Sequence, residues 1–216
     1  MKNCFIVGAG KCSSVYIPDS ISKYVIAADG GFEKLKIHGI EPDLVLGDFD
    51  SSAFVPQFEN ILTFPCEKDE TDTAIALKKA LEKGCERIFI YGGTGGREDH
   101  TFANIQLLSF AALNNANAYL LYDDMIATVI KNSSILFEKD EKGYISVFSL
   151  SEASDSVTIK GLKYTAEDVT LSNMVALGVS NEFTGEPAEI SVKNGSLLVM
   201  WQTDIKKAID KLVIKE

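Results

Sequence analysis

The order in which apolar runs follow one another constrains this chain more than any other feature. From residue 1 to about 125, short apolar runs alternate with segments of helical spacing; beyond about 127 only short runs and tight turns follow. Alternating strand and helix marks an α/β layer with a mostly parallel sheet, whereas strands joined by turns mark an antiparallel sandwich. The expected fold is therefore an α/β N-terminal domain with a mostly parallel sheet over residues 1–126, plus an all-β C-terminal sandwich domain over residues 127–216. In the first part strands are expected at 4–7, 24–28, 44–46, 61–64, 87–91 and 118–122, with helices at 31–37, 71–83 and 98–113. Gly84 stands where a left-handed helix cap is required. In the second part strands are expected at 127–130, 134–138, 144–150, 156–160, 169–171, 188–192 and 197–202. Asn194-Gly195 signals a two-residue hairpin between the last two, and Ile205, Ile209, Leu212 and Val213 form one face of a closing helix.

With 216 residues, 46% of them hydrophobic, the chain has ample length for a real core. Its formal net charge of −10 argues against a bare nucleic-acid or anionic-membrane binder, since both require a basic face. No apolar window approaches a membrane span, and the run at 4–9 is too short for a secretory core. The four cysteines, Cys4, Cys12, Cys66 and Cys85, form no C-x-x-C pair and are expected to be reduced. A cytoplasmic protein is the expectation.

The chemistry centres on Gly47-Asp48-Phe49-Asp50-Ser51. After a buried strand, Asp48 and Asp50 leave its carboxyl end on the same side, because side chains alternate. That end is where open α/β sheets bind ligands. Two carboxylates ~7 Å apart repel by ~2 to 3 kcal/mol at an effective dielectric near 20, so the pair calls for a cation, and Mg²⁺ suits oxygen ligands shared with phosphates. By itself the pair reads more readily as a solvated turn with one Asp capping a helix. Asp72, just inside the helix that follows Lys68-Asp69-Glu70-Thr71, is the third candidate ligand; Asp69 suits a cap.

Three more segments qualify as candidates. Asp29-Gly30-Gly31 ends the second strand and lets backbone approach a ligand beside a carboxylate. Gly92-Gly93-Thr94-Gly95-Gly96-Arg97-Glu98-Asp99-His100 is a bare loop opening into a helix, with free N–H groups for an anion and Arg97 as a bidentate phosphate donor. His100 and Asn104 share one face of that helix. Ser180-Asn181, which by themselves read as a turn, offer donors and acceptors suited to a heteroaromatic edge. Gly8-Ala9-Gly10 lacks the third glycine of a dinucleotide fingerprint and reads as a tight turn.

In order, Asp29-Gly30-Gly31, Gly47-Asp48-Phe49-Asp50-Ser51, Lys68-Asp69-x-Thr71-Asp72, Gly92-Gly93-x-Gly95-Gly96-Arg97-x-Asp99-His100-x-x-x-Asn104 and Ser180-Asn181-Glu182 resemble the thiamin pyrophosphokinase family. The resemblance spans nearly the whole chain. It implies an enzyme that transfers the pyrophosphoryl group of ATP to the hydroxyl of thiamin, giving thiamin diphosphate and AMP, with Mg²⁺. It further implies a homodimer with active sites between subunits. On that likeness Asp48, Asp50 and Asp72 hold the metal. Asp29, Gly30, Gly92, Gly93, Thr94, Gly95, Gly96, Arg97 and His100 shape the nucleotide site. Ser180, Asn181 and Asn104 meet substrate, and Asp72, Asp99 and Arg97 serve catalysis, with Asp72 or Asp99 accepting the hydroxyl proton. A diphosphokinase for another heterocyclic alcohol such as a hydroxymethylpterin, and a noncatalytic thiamin diphosphate or nucleotide sensor, are the competing readings. A glycosyltransferase leaves the Arg97 loop unexplained, and a haloacid-dehalogenase-type phosphatase carries its Asp pair after the first strand, not the third.

Overall fold

A computed structural model describes residues 1–48, 58–65, 67 and 69–214. The chain divides into two compact units, Met1–Asp123 with Ile209–Glu216, and Asp124–Ala208.

In the first unit β1 (Asn3–Val7), β2 (Lys23–Ala28), β3 (Leu44–Gly47), β4 (Ile61–Thr63), β5 (Arg87–Tyr91) and β6 (Asn117–Leu121) lie in the order β6-β5-β1-β2-β3-β4. Every pair among them is parallel. Parallel strands covered on both faces must be apolar throughout, and β1 and β5 are buried at every position. Phe5, Phe89 and Tyr119 stack across the three central strands, with ring centroids 4.9 and 5.3 Å apart.

Three helices connect these strands: α1 (Gly31–Ile37), α2 (Asp72–Glu82) and α3 (Glu98–Leu113). Thr71 caps α2, its side chain accepting from the Ala74 N–H at 3.2 Å. At the other end Gly84 adopts φ +72, and the Cys85 N–H reaches back to the Ala80 carbonyl at 3.0 Å. That closes the helix with the expected left-handed cap. Chain order advances from β1 toward β4 on one side and from β5 to β6 on the other. The loops after β1 and β5 therefore part at a topological switch point, which opens a crevice at the carboxyl ends of the strands.

The second unit is antiparallel. β7 (Met125–Lys131), β9 (Tyr144–Ser149), β12 (Gly178–Glu182) and β14 (Ser196–Gln202) run in the order β12-β9-β14-β7; β8 (Ser134–Phe137), β10 (Ala153–Lys160), β11 (Ala166–Ser172) and β13 (Ala188–Ser191) form a second sheet, β11-β10-β13-β8. Trp201 on β14 is buried and meets the ring of Phe137 on β8 edge-on at 5.4 Å, so it belongs to the core between the two sheets.

Two expectations are corrected here. Asn194-Gly195 does not close a hairpin: β14 is already flanked by β7 and β9, while β13 pairs with β8 and β10. The turn instead carries the chain from one sheet to the other. A Cβ on Gly195 would lie 2.7 Å from Ser154 Oγ, so glycine answers a close approach there. Ser180-Asn181, expected as a turn, lie on the strand β12, an edge strand whose register shifts between Gly178 and Asn181, with Ser180 at φ 57. The helix expected near the C-terminus is α4 (Ile205–Ile214), with Ala208 and Ile209 buried.

Candidate active site

A cleft of about 620 Å³ opens at the switch point of the first unit. One wall is the turn after β1, Gly8 to Gly10; the facing wall is the loop after β5, with Gly92, Gly93, Thr94, Gly96 and Arg97. The two are laced together by backbone bonds: Gly8 N–H to the Tyr91 carbonyl (2.8 Å), Gly10 N–H to Gly92 (2.8 Å) and Lys11 N–H to Thr94 (2.9 Å). A Cβ on Gly10 would sit 2.5 Å from the Gly92 oxygen and 2.6 Å from the Thr94 oxygen. Glycine at this position is a steric requirement of the loop contact. The sequence reading took Gly8-Ala9-Gly10 for a turn alone and so missed a wall of the site.

Carboxylates arrive from three other strand ends. Asp29 follows β2 in the left-handed region (φ 50), and its N–H bonds to the Leu46 carbonyl. Its Oδ1 is buried without a hydrogen-bond partner among the described residues, an expensive arrangement that a ligand donor or cation would relieve. Asp48 follows β3 and Asp72 opens α2; both line the cleft, as do Asp69, Glu70 and Thr73. Asp50, the remaining expected metal ligand, lies outside the described residues. Among the described residues no three His, Cys, Asp or Glu side chains are gathered closely enough to form a cation cage by themselves.

Helix α3 begins at the far lip, where Arg97, His100, Thr101 and Asn104 line the cleft. Asn104 is buried, and its Nδ2 donates to the Gly93 carbonyl at 2.7 Å, fixing the glycine loop from below. Arg97 and Asp99 form a bidentate pair, Nε to Oδ1 at 3.1 Å and Nη2 to Oδ2 at 2.5 Å, on the exposed rim. The guanidinium, followed by the His100 N–H, holds the Asp99 carboxyl below its ordinary value of 3.8. A carboxylate so stabilised is a weak base, and Asp99 does not line the cleft. Gly30 and Gly95 are also absent from the lining: one abuts Ala9 and the other Lys11.

Ser180 and Asn181 belong to the second unit. Asn181 is buried, and its amide is bound at both ends: Oδ1 accepts from the Tyr164 and Glu182 N–H groups (both 2.9 Å) and Nδ2 donates to the Tyr164 carbonyl (2.7 Å). It ties β12 to the Tyr164 turn. Ser180 is exposed at the bulge, with its N–H on Ser146 Oγ at 3.1 Å.

Comparison with known proteins fits this geometry. Residues 20–120 match the family described as "Thiamin pyrophosphokinase, catalytic domain", and residues 132–197 match "Thiamin pyrophosphokinase, vitamin B1 binding domain". A thiamine pyrophosphokinase from Bacillus subtilis (strain 168) is 33% identical over 189 residues, covering 83% of this chain and 87% of that protein. The chain belongs to the thiamin pyrophosphokinase family. A second relative, thiamin pyrophosphokinase 1 of Caenorhabditis elegans, is 26% identical over 82% of this chain and 78% of its own. Among solved structures, the B. subtilis thiamine pyrophosphokinase superposes with a TM-score of 0.83 at 30% identity, covering 94% of this chain and all of that one. The enzyme from Geobacillus thermodenitrificans gives 0.79 at 27%, covering 94% and 98%. The catalytic-domain match of the thiamin pyrophosphokinase family takes in Asp29, Asp48, Asp72 and the 92–97 loop. It starts after the Gly8–Gly10 wall, which the structure adds to the cleft.

Proposed function

We propose that this chain transfers the diphosphoryl group of ATP to the primary hydroxyl of thiamin, releasing AMP. The observation that supports this most strongly is the switch-point cleft, where two glycine turns face a row of carboxylates within the matched catalytic segment. Glycine walls and the free N–H groups of helix starts suit a triphosphate. Carboxylates suit a divalent cation that shares those phosphates. The buried, unpartnered Asp29 Oδ1 supports a ligand donor or cation at this floor. Asp48 and Asp72, with Asp50, would hold Mg²⁺, which supplies neutralisation of phosphate charge as the P–O bonds rearrange.

The chain's own residues then position and discharge. The thiamin hydroxyl oxygen bonds to the β-phosphorus as the bond from that phosphorus to the AMP oxygen breaks, so in-line placement matters more than covalent help. Arg97, oriented by Asp99, faces the phosphates from the α3 lip. Asn104 holds the Gly93 peptide so that the loop keeps its shape. Asp72 takes the role of proton acceptor, because Asp99 is committed to Arg97. The acidic lining also favours the cationic thiazolium ring.

We place thiamin's pyrimidine against Ser180 on β12, with Asn181 shaping that strand from behind. The exposed apolar side chains Met174, Val175, Leu177 and Val179 beside this edge strand support a homodimer with active sites between subunits, since such a patch is costly in water. Light scattering that gives the mass of one chain at micromolar concentration would contradict the dimer. The thiols of Cys4, Cys12 and Cys85 are free, which supports the reducing cytoplasm as the working compartment. No helix among the described residues is long and apolar enough to cross a membrane.

The test is incubation with ATP, Mg²⁺ and thiamin, with mass detection of products. AMP and thiamin diphosphate in equal amounts are expected. Binding without AMP release would instead identify a sensor, and turnover only with a hydroxymethylpterin would identify a different diphosphokinase.

A further inference from the structure

Lys34, in the last turn of α1, is a cation whose partners are unusual. Its Nζ donates to the Gly8 carbonyl at 2.9 Å and to the Gly10 carbonyl, and forms no ion pair among the described residues. A Cβ placed on Gly92 would stand 3.0 Å from the same nitrogen, so the ammonium sits where the two glycine loops meet. The group is half-buried, and burial lowers its pKa, partly offset by the nearby Cys12. A desolvated cation held only by neutral carbonyls gains little unless an anion comes to it.

In a trans peptide the C=O and N–H point in opposite directions. Drawing the Gly8 carbonyl toward Lys34 therefore turns the Ala9 N–H away from it, and that N–H has no backbone partner among the described residues, while its neighbours Gly8 N–H and Gly10 N–H are bound to Tyr91 and Gly92. Ala9 itself lines the cleft. Among the described residues the lining carries Asp29, Asp48, Asp69, Glu70 and Asp72 against one Lys or Arg side chain, Arg97, and that guanidinium is shared with Asp99. A triphosphate entering this field needs positive charge from behind the glycine wall.

We propose that Lys34 is a positioning residue for the nucleotide: it holds back the Gly8 and Gly10 carbonyls, presents the Ala9 N–H to a phosphate, and supplies charge beneath the loops. This rests on the nucleotide reading of the cleft given above, and the family match to the catalytic domain does not extend to the Gly8–Gly10 turn it acts through.

The experiment measures binding of α,β-methylene-ATP, an analogue that resists cleavage between the α and β phosphorus atoms, together with the KM for thiamin at saturating ATP. The variants are Lys34→Met, Lys34→Gln and Lys34→Arg. Losing a charged hydrogen-bond donor predicts a dissociation constant about tenfold higher for Lys34→Met. Lys34→Arg should stay close to wild type, and the thiamin KM should hold in every variant. Should Lys34→Met yield no folded protein, Lys34→Gln, which keeps a donor without the charge, carries the same comparison. Nucleotide affinity unchanged in the charge-removed variant, whatever its melting temperature, overturns the proposal; so does an equal loss for nucleotide and thiamin. Wild-type protein that does not bind the analogue at all would overturn the nucleotide reading itself, a separate result from a wild type that binds and a variant that binds equally well.

Discussion

Asn104 and Asn181 are both buried, yet they stand in contrast. Asn104 in the first unit makes one bond, to the Gly93 carbonyl, at the floor of an open cleft, whereas Asn181 in the second has both ends of its amide bound to local backbone. The first asparagine supports a wall of the cleft; the second supports a strand. Glycines divide in the same way. Gly10 lets two loops that line the cleft touch, whereas Gly195 lets a crossing chain pass Ser154. Residue type alone does not separate a binding wall from a structural joint. What separates them is whether polar capacity is left over once the backbone has been satisfied.

The contrast breaks first at the carboxylates. Asp48→Asn and Asp72→Asn should each lower turnover by at least about a hundredfold, as removing a group that handles developing charge does, with an unchanged melting temperature. Asp48 variants that retain full rate at saturating Mg²⁺ would remove that residue from the site. Next, Asn181→Leu should destabilise the fold by about 2 to 4 kcal/mol, because it orphans backbone groups of Tyr164 and Glu182; chemical denaturation reads this directly. A variant of normal stability with a raised thiamin KM would move Asn181 from strut to ligand contact.

A smaller effect is expected at Gly10→Ala. Overpacking against the Gly92 and Thr94 oxygens should cost about 1 to 3 kcal/mol, and nucleotide affinity should fall with it. The smallest concerns the exposed Arg97–Asp99 pair. Asp99 has a depressed folded-state pKa, so its contribution is present above the ordinary carboxylate range and disappears as pH falls through the lowered value. Asp99→Asn should therefore shift melting only slightly at neutral pH and not at all in strong acid. A profile in which the variant gains relative stability as pH rises would reverse the sign.

Much of the first unit was legible because buried parallel strands are apolar at every position and their ends are marked by Gly and Asp. Cys4 to Val7 and Arg87 to Tyr91 needed no tertiary knowledge. The Gly8–Gly10 wall was not legible: its significance lies in bonds to Gly92 and Thr94, more than eighty positions away, and the missing third glycine argued against a phosphate site. Lys34 carried no signal for the same reason, since the carbonyls it meets, Gly8 and Gly10, lie more than twenty positions away. In the second unit β12 escaped notice because Gly178, Ser180 and Asn181 are turn residues by composition, and only pairing with β9 makes them a strand. Asn194-Gly195 carried a true turn signal, but local chemistry does not say whether the flanking strands pair with each other. Asp50 lies outside the described residues, so of the three expected metal ligands only Asp48 and Asp72 are seen to line the cleft.

The central claim is that the crevice between the β1 and β5 loops receives the nucleotide's phosphates. Amide hydrogen exchange with and without α,β-methylene-ATP and Mg²⁺ tests it most directly. Slowed exchange at Ala9 and across Gly92 to Arg97, with little change along β12, is the expected result. Protection confined to the second unit, or none at either glycine loop under saturating analogue, would contradict it.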